Sequence, residues 1–551
     1  MPGHSNLSVR IKRDAGVGLL MLAASAVMLS PFISYTQFGS ALHSGDGRVQ
    51  AWVLAWVGHA LGSGRPLFDA NMFYPARASL SHTDHMVALG ALGAPVWWAT
   101  RNAILEFNLL QLIGPALGAY AMFVLARAWT RDTGASIVAG LAYGFATFTL
   151  LHNAHLNLTW NFGLPLAVLG LERWWSDPTW PRLVRWWIPA LFTALVSWYL
   201  ALLLGLLLGA CMLWLLLTRP RGDLSTKAVQ LAASGVLALA ILLPLMSPYL
   251  GRGSDAGEAA ALSADYQSYL MPSEHTVVGR FLVKEGLAAP QSFWGERTLF
   301  LGWTSLALAL IGVVTSPVAQ RTRVMFLVGT ATAAASLSFG PSSAGYAPFD
   351  LLTLVPGIAG FRATARFALL VSFGLALLAA MGVAWLQRQR PTAARFIPIL
   401  CGCLILAEVF VVDFPAGKPV AEAMPEIYPL AANDRARAAV ALPMYAGQGI
   451  WFLEGDYLLY STTADFLSLG NGIGRWVPDE YLALAEATRS FPSPATAAAL
   501  RLYGITHVLF HGQRFGSDGP ILLEQARQGN DFSIVATRGS DTLLRVNTLG
   551  R

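Results

Sequence analysis

The chain has 551 residues, of which 55% are hydrophobic and only 12% charged, about half the charged share of an ordinary globular domain. Its mean hydropathy of +0.52 exceeds what a water-solvated fold could bury, which excludes a soluble enzyme and predicts a polytopic membrane protein. A net charge of +6 then reads as membrane topology rather than nucleic-acid binding.

The first apolar run, Val17 to about Tyr35, follows Arg10, Lys12 and Arg13. That asymmetry puts residues 1–15 in the cytoplasm and makes the run an outward crossing. Ala23-Ala24-Ser25-Ala26 would suit a cleavable signal peptide, but the run continues through Met28, Leu29 and Phe32, which favours the crossing.

A long polar and aromatic outer loop spans residues 36–84. Gly45-Asp46-Gly47-Arg48 reads as a turn that delivers a carboxylate near the end of the first helix. Val49 to Leu61 then carries Trp52, Trp56 and His59 at helical spacing, predicting an amphipathic helix in the membrane interface. Asp69, Asp84, His82 and His85 supply further acids and bases. Asp69 and Asp84 suit helix or turn caps equally well. Residues 84–100 contain Gly90, Gly93 and Pro95 and are read as re-entrant or interfacial rather than spanning.

Further apolar runs lie near 103–126, 135–151, 160–174, 186–217, 228–248, 298–316, 324–340, 366–386 and 396–412. The run 186–217 is too long for one crossing at about 1.5 Å per residue. It is split at Ser197-Trp198-Tyr199. The basic residues of alternate connections, among them Arg127, Arg131, Arg219, Arg221, Lys227, Arg321, Arg323 and Arg388, then share one side. About eleven crossings result, with the C-terminus outside. Glu106 and Glu408, the latter followed by Asp413, are the few acids in or near them. That scarcity argues against a proton-coupled carrier.

Two more outer segments hold candidate ligand-binding groups. His152, His155 and Asn157 lie between two crossings and could bind a sugar or a phosphate, or cap helix ends. Residues 356–367 contain Arg362 and Arg366, four apart and so on one helix face. Their planar forks suit a phosphate, or a lipid headgroup to which they snorkel. Glu296-Arg297 is expected to pair internally.

From about Pro415 the character changes. Val440–Met444 and Thr506–Phe510 read as buried strands, Pro478–Arg489 and Pro494–Leu502 as helices, giving an extracytoplasmic α/β domain over 415–551. The three cysteines, Cys211, Cys401 and Cys403, lie in apolar runs and offer neither a disulfide framework nor metal-ligand spacing. The phosphate-loop, HExxH and dinucleotide fingerprints are absent from the sequence.

The sequence resembles the integral-membrane glycosyltransferases of the GT-C class, which include protein mannosyltransferases, aminoarabinose transferases and the catalytic subunit of oligosaccharyltransferase. The resemblance rests on Gly45-Asp46 with Gln50 to Trp56, on Leu67 to Arg77, on Pro356 to Arg366, on Tyr460-Ser461-Thr462, and on Asn471-Gly472. It implies an all-α multi-pass domain over 16–414, a polyprenyl-phosphate-linked sugar donor, and transfer to a glycan, lipid or protein acceptor on the outer face of the cell membrane. It also implies that Asp46 is the catalytic acid of the first loop. Many members pair two acids there, whereas glycines flank Asp46, so Asp69 or Asp84 would supply the second. His82, His85, His152, His155, Asn157, Arg362 and Arg366 are the candidate substrate-binding residues. No metal ligand set is identified, and a divalent cation is compatible with the class. The competing expectation is a non-catalytic scaffold or lipid-linked glycan flippase of envelope assembly.

Overall fold

The structure is a computed structural model describing residues 3–43, 45–220, 222–250, 256–288, 295–341, 347–354, 361–412, 419–446 and 451–548. Residues 356–360, Arg221, Asp413 and the expected boundary near 415 lie outside the described residues. The chain divides into two compact units, Met1–Phe32 with Leu110–Lys418, and Ile33–Leu109 with Pro419–Arg551.

The first unit is helical. Among the described residues, five helices are long and apolar enough to cross a membrane: Ala103–Thr130, Thr133–Leu151, Trp198–Thr218, Leu224–Tyr249 and Thr364–Gln389. A bent pair, Trp303–Thr315 with Val318–Ser338, would make a sixth. The runs expected at 160–174 and 396–412 form helices of 14 and 13 residues, Gly163–Ser176 and Ile397–Val409. These are shorter than the roughly 20 residues that span a bilayer. The expected break does occur at Ser197. That residue is extended and accepts a hydrogen bond from Tyr199 N–H, separating Trp180–Val196 from Trp198–Thr218. Thr364–Gln389 is the buried centre of the unit. It meets Trp303–Thr315 at Gly312 and Gly382, where a Cβ on either would lie 2.1 Å from a carbonyl oxygen of the other helix. Small residues permit that approach, as in membrane helix pairs generally.

The second unit joins the first outer loop to the C-terminal segment. Strand β1 (Ala41–Leu42) pairs antiparallel with β2 (Val420–Ala421). A four-stranded sheet has the order β3-β4-β6-β5, from Ala439–Leu442, His507–His511, Asp541–Val546 and Phe532–Arg538. β3 and β4 are parallel, and the other pairs antiparallel. Helices Asp479–Thr488 and Pro494–Leu502 open at Pro478 and Pro494, as their sequences predict.

Loop residues 71–74 run beside 467–471. Phe73 and Tyr74 donate to the Asn471 and Leu469 carbonyls, and Leu469 donates to that of Asn71. The side chain of Asn71 donates to Ser461 Oγ and to the Leu467 carbonyl while accepting from Trp52 Nε1. Four of the sequence stretches that carried the family resemblance therefore meet within this unit.

The helix Asp46–Ser63 is not amphipathic, contrary to expectation. Val49 to Ala60 are buried on all faces. Trp52 and Trp56 are fixed inside by hydrogen bonds to Asn71 and to the Leu67 carbonyl, so indole spacing that suits an interface here fills a core. The segment 84–100 contains the helix Val87–Thr100. Its 14 residues rise about 21 Å, too little to cross a bilayer. Gly90 lies against Val57, whose Cβ would be 2.4 Å from an added Cβ.

Candidate functional site

Asp46 opens the first turn of the Asp46–Ser63 helix and is exposed. Gly45 before it has φ +85°, a conformation that glycine adopts without steric cost. A carboxylate at this end is favoured by the helix dipole. The turn is anchored by Arg48, whose guanidinium bonds the carboxylates of Glu422 and Asp456. Arg514 takes the other Asp456 oxygen at 2.6 Å and stacks over Tyr457. Tyr460 donates to Glu422 at 3.3 Å. Burial pushes the Glu422 carboxyl up despite Arg48.

The other first-loop candidates are spent on the fold of this unit. Asp69 accepts the Ala78 N–H at 2.9 Å and lies 3.6 Å from Arg77, closing the 69–78 turn. Asp84 is half-buried. His82 is buried with Nδ1 against the Trp476 carbonyl. His85 is fully buried, accepts the Val87 N–H at 3.2 Å, and is pushed by burial down to about 4. It is a neutral imidazole at physiological pH.

In the first unit, Glu296 draws two candidates together. Its carboxylate accepts from Arg366 at 2.5 Å and meets His152 Nε2 at 3.0 Å. The internal Glu296–Arg297 pair is not formed. Arg297 instead donates to the Ser263 carbonyl at 2.8 Å and lies 3.7 Å from Asp265. Burial opposes the Glu296 charge, but Arg366 and His152 outweigh it and hold the carboxyl well below its usual range. His152 Nδ1 faces the Phe148 carbonyl at 2.8 Å. Both ring nitrogens thus face acceptors. Arg366 also lies 4.1 Å above the Tyr199 ring. Arg362 pairs with Glu258 at 2.5 Å, and both side chains stay about one-third exposed. His155 is half-buried with its ring 5.8 Å from that of His152, and Asn157 is buried.

Sequence reasoning named Arg48 and Glu296 without their partners, and missed Asp456 and Glu454. Glu454 is buried, accepts from Tyr445 N–H and Asn471 Nδ2, and is pushed by burial up to about 7. Each partner lies too far along the chain for spacing to reveal it, although Asn471 was flagged by resemblance. Among the described residues, no three His, Cys, Asp or Glu side chains gather in a group that could hold a metal ion.

No protein-family model matches the sequence, and no curated protein sequence matches it. Solved structures do match. The Archaeoglobus fulgidus oligosaccharyltransferase in its apo form is 12% identical, with 90% of this chain and 69% of that chain covered at a TM-score of 0.54. Archaeal oligosaccharyltransferase AglB from the same organism, in complex with an inhibitory peptide and a dolichol-phosphate, is 14% identical. There 95% of this chain and 72% of that chain are covered, at a TM-score of 0.53. ArnT from Cupriavidus metallidurans is 13% identical over 98% of both chains at a TM-score of 0.39. The fold seen here is the one these two oligosaccharyltransferase structures have, the GT-C fold.

Proposed function

We propose that the protein is a membrane glycosyltransferase that moves a sugar from a polyprenyl-phosphate donor to an acceptor on the extracytoplasmic face. The observation that carries this reading is the GT-C fold shared with AglB over 95% of the chain. The AglB structure holds a dolichol-phosphate, which supports a lipid-phosphate carrier as donor here.

The mechanism is a single displacement at the anomeric carbon, with inversion. The acceptor hydroxyl attacks C1, its proton passes to the Asp46 carboxylate, and the C1–O bond to the lipid phosphate breaks as the phosphate takes the electron pair. Asp46 suits the base role because it is exposed while its backbone is fixed through Arg48. Within the first unit, Arg362, one-third exposed beside Glu258, keeps a guanidinium whose planar fork suits a phosphate. Arg366 is 5% exposed and engaged by Glu296. It contributes positive field and holds the shape of its surroundings rather than gripping ligand directly. Asp69 and Asp84, in the same unit as Asp46, are the next candidates for an acid in the reaction.

The test is transfer of radiolabelled sugar from a panel of polyprenyl-phosphate sugars by purified protein, comparing wild type with Asp46→Asn. Wild-type transfer that falls by a factor of about 10³ or more in a folded variant is the expected result for loss of a general base. Equal transfer by both proteins removes Asp46 from the mechanism. Absence of transfer from every donor, with lipid, glycan and peptide acceptors all supplied, removes the transferase reading.

A further inference from the structure

At the far end of the helix that begins with Asp46, the second unit carries an open cavity of about 510 Å³ lined by His59, Gly62, Ser63, Trp98, Arg101 and Asp465. That volume lies in the range of small-ligand sites. None of these residues has a role in the mechanism above. Thirteen residues of helix separate His59 from Asp46, about 20 Å at 1.5 Å per residue, so this cavity does not hold the reacting atoms.

Its walls are fixed and its polar groups are open to a ligand. Trp98 Nε1 donates to the Gly58 carbonyl at 2.9 Å, which locks the indole while half of the residue stays exposed. Gly62 lies beneath it, where any side chain would meet Nε1 at 2.9 Å. His59 is 6% exposed, and its buried Nε2 has no hydrogen-bond partner among the described residues. A buried polar atom of this kind calls for an explanation. Nδ1 of the same ring lies 3.5 Å from Asp465, whose side chain is 72% exposed. Burial pushes the imidazole down against the pull of Asp465, so it is neutral and can both donate and accept. Arg101 stacks over Trp97 at 5.4 Å and forms no ion pair among the described residues. Arg101, Asp465 and Phe466 all have positive φ, at 51°, 50° and 59°. Such backbone is sparsely populated by non-glycine residues and clusters at ligand sites. Phe466 is wedged against Trp56, His59 and Trp97.

We propose that this cavity is a carbohydrate subsite that holds a pyranose ring remote from the reacting bond. A rigid, half-exposed indole offers a flat face for the ring C–H groups. Asp465 accepts from hydroxyls and Arg101 donates to them, while the His59 ring stands behind the Asp465 carboxylate at 3.5 Å. A phosphate would meet the Asp465 carboxylate and would leave the indole unused. The choice of carbohydrate rests on the glycosyltransferase reading, while the cavity itself does not. A sugar held here would belong to an oligosaccharide whose reacting end reaches Asp46.

The experiment measures binding to the full-length protein in lipid nanodiscs by saturation-transfer NMR. The probes are free mono- and oligosaccharides of glucose, galactose, mannose and N-acetylglucosamine, with inorganic phosphate as competitor. At least one oligosaccharide should bind, and Trp98→Ala and Asp465→Asn should each weaken it by about tenfold, the size of one good contact. Asp465→Asn is the safer variant, because Asn tolerates the left-handed backbone. Absence of binding by any saccharide, unchanged binding in both cavity variants, or displacement of the saccharide by phosphate would each overturn the proposal. Binding that depends on Trp98 in a protein that transfers no sugar would retire the enzyme reading and keep the subsite. Asp46-dependent transfer without saccharide binding would do the reverse.

Discussion

Arg48 grips the carboxylate of Asp456, a residue 408 positions later in the chain. The same guanidinium holds Glu422, and Asp456 passes its second oxygen to Arg514. Two arginines and two acids thus tie the first turn of the Asp46–Ser63 helix to the helix Glu454–Ser461 within one unit. The network fixes the backbone on which Asp46 stands.

Arg48→Ala should therefore be far more damaging than loss of a surface charge. Arg48 and Asp456 are 12% and 3% exposed, and removing one member of a buried pair costs about 3–5 kcal/mol. Chemical unfolding of the purified protein should show that loss, and Arg48→Lys should recover part of it. The pair Arg48→Ala/Asp456→Ala should cost less than the two single changes added together. Additive losses would mean that the two side chains do not stabilise each other.

The pH profile should reveal two buried groups that titrate in opposite senses. Burial lowers His85 from 6.5 to about 4. Between those values the unfolded chain binds a proton that the folded one does not, so stability rises with pH. Burial raises Glu454 from 4.5 to about 7. The folded chain then keeps a proton that the unfolded one has lost, so stability falls as pH rises through that window. The two slopes oppose each other between about 4.5 and 6.5. Relative to wild type, Glu454→Gln should gain stability as pH rises from 4.5 to 7, and His85→Asn should lose it from 4 to 6.5. Thermal midpoints measured across pH 4–8 decide this; variant profiles parallel to wild type would show that neither group titrates as described.

Glu296→Gln should strand Arg366 and His152, which are 5% and 2% exposed, without their shared counter-charge. The expected loss is again about 3–5 kcal/mol. A double change to Glu296→Leu and Arg366→Met removes both charges and should be milder than Glu296→Gln alone. Thermal unfolding in detergent compares the three proteins. A Glu296→Gln variant as stable as wild type would show that the carboxylate is dispensable there.

Composition and the length of the apolar runs predicted a helical membrane protein, because 55% hydrophobic with only 12% charged residues exceeds what an ordinary soluble domain carries. Local pattern also located several elements. Ser197 interrupts a run too long for one crossing, Pro478 and Pro494 open helices, and residues 440–442 and 507–510 lie in paired strands. These are short-range effects of capping, backbone restriction and side-chain burial, which the sequence carries in adjacent positions. It also flagged Asp46, His152 and Arg366 as residue types suited to the chemistry.

What those residues touch was decided by tertiary structure alone. Trp52, Trp56 and His59 have the spacing of an interfacial helix, but spacing cannot say which neighbours cover each face. Burial on all sides of the Asp46–Ser63 helix came from packing with Val87–Thr100 and the C-terminal segment. Arg366 looked open to a phosphate until Glu296, 70 residues earlier, was found against it. The attraction of opposite charges acts through space, and position along the chain does not record it. For the same reason the cavity beside Trp98 and Asp465 could not be read from the sequence: its walls come from segments some 400 residues apart, brought together only by folding.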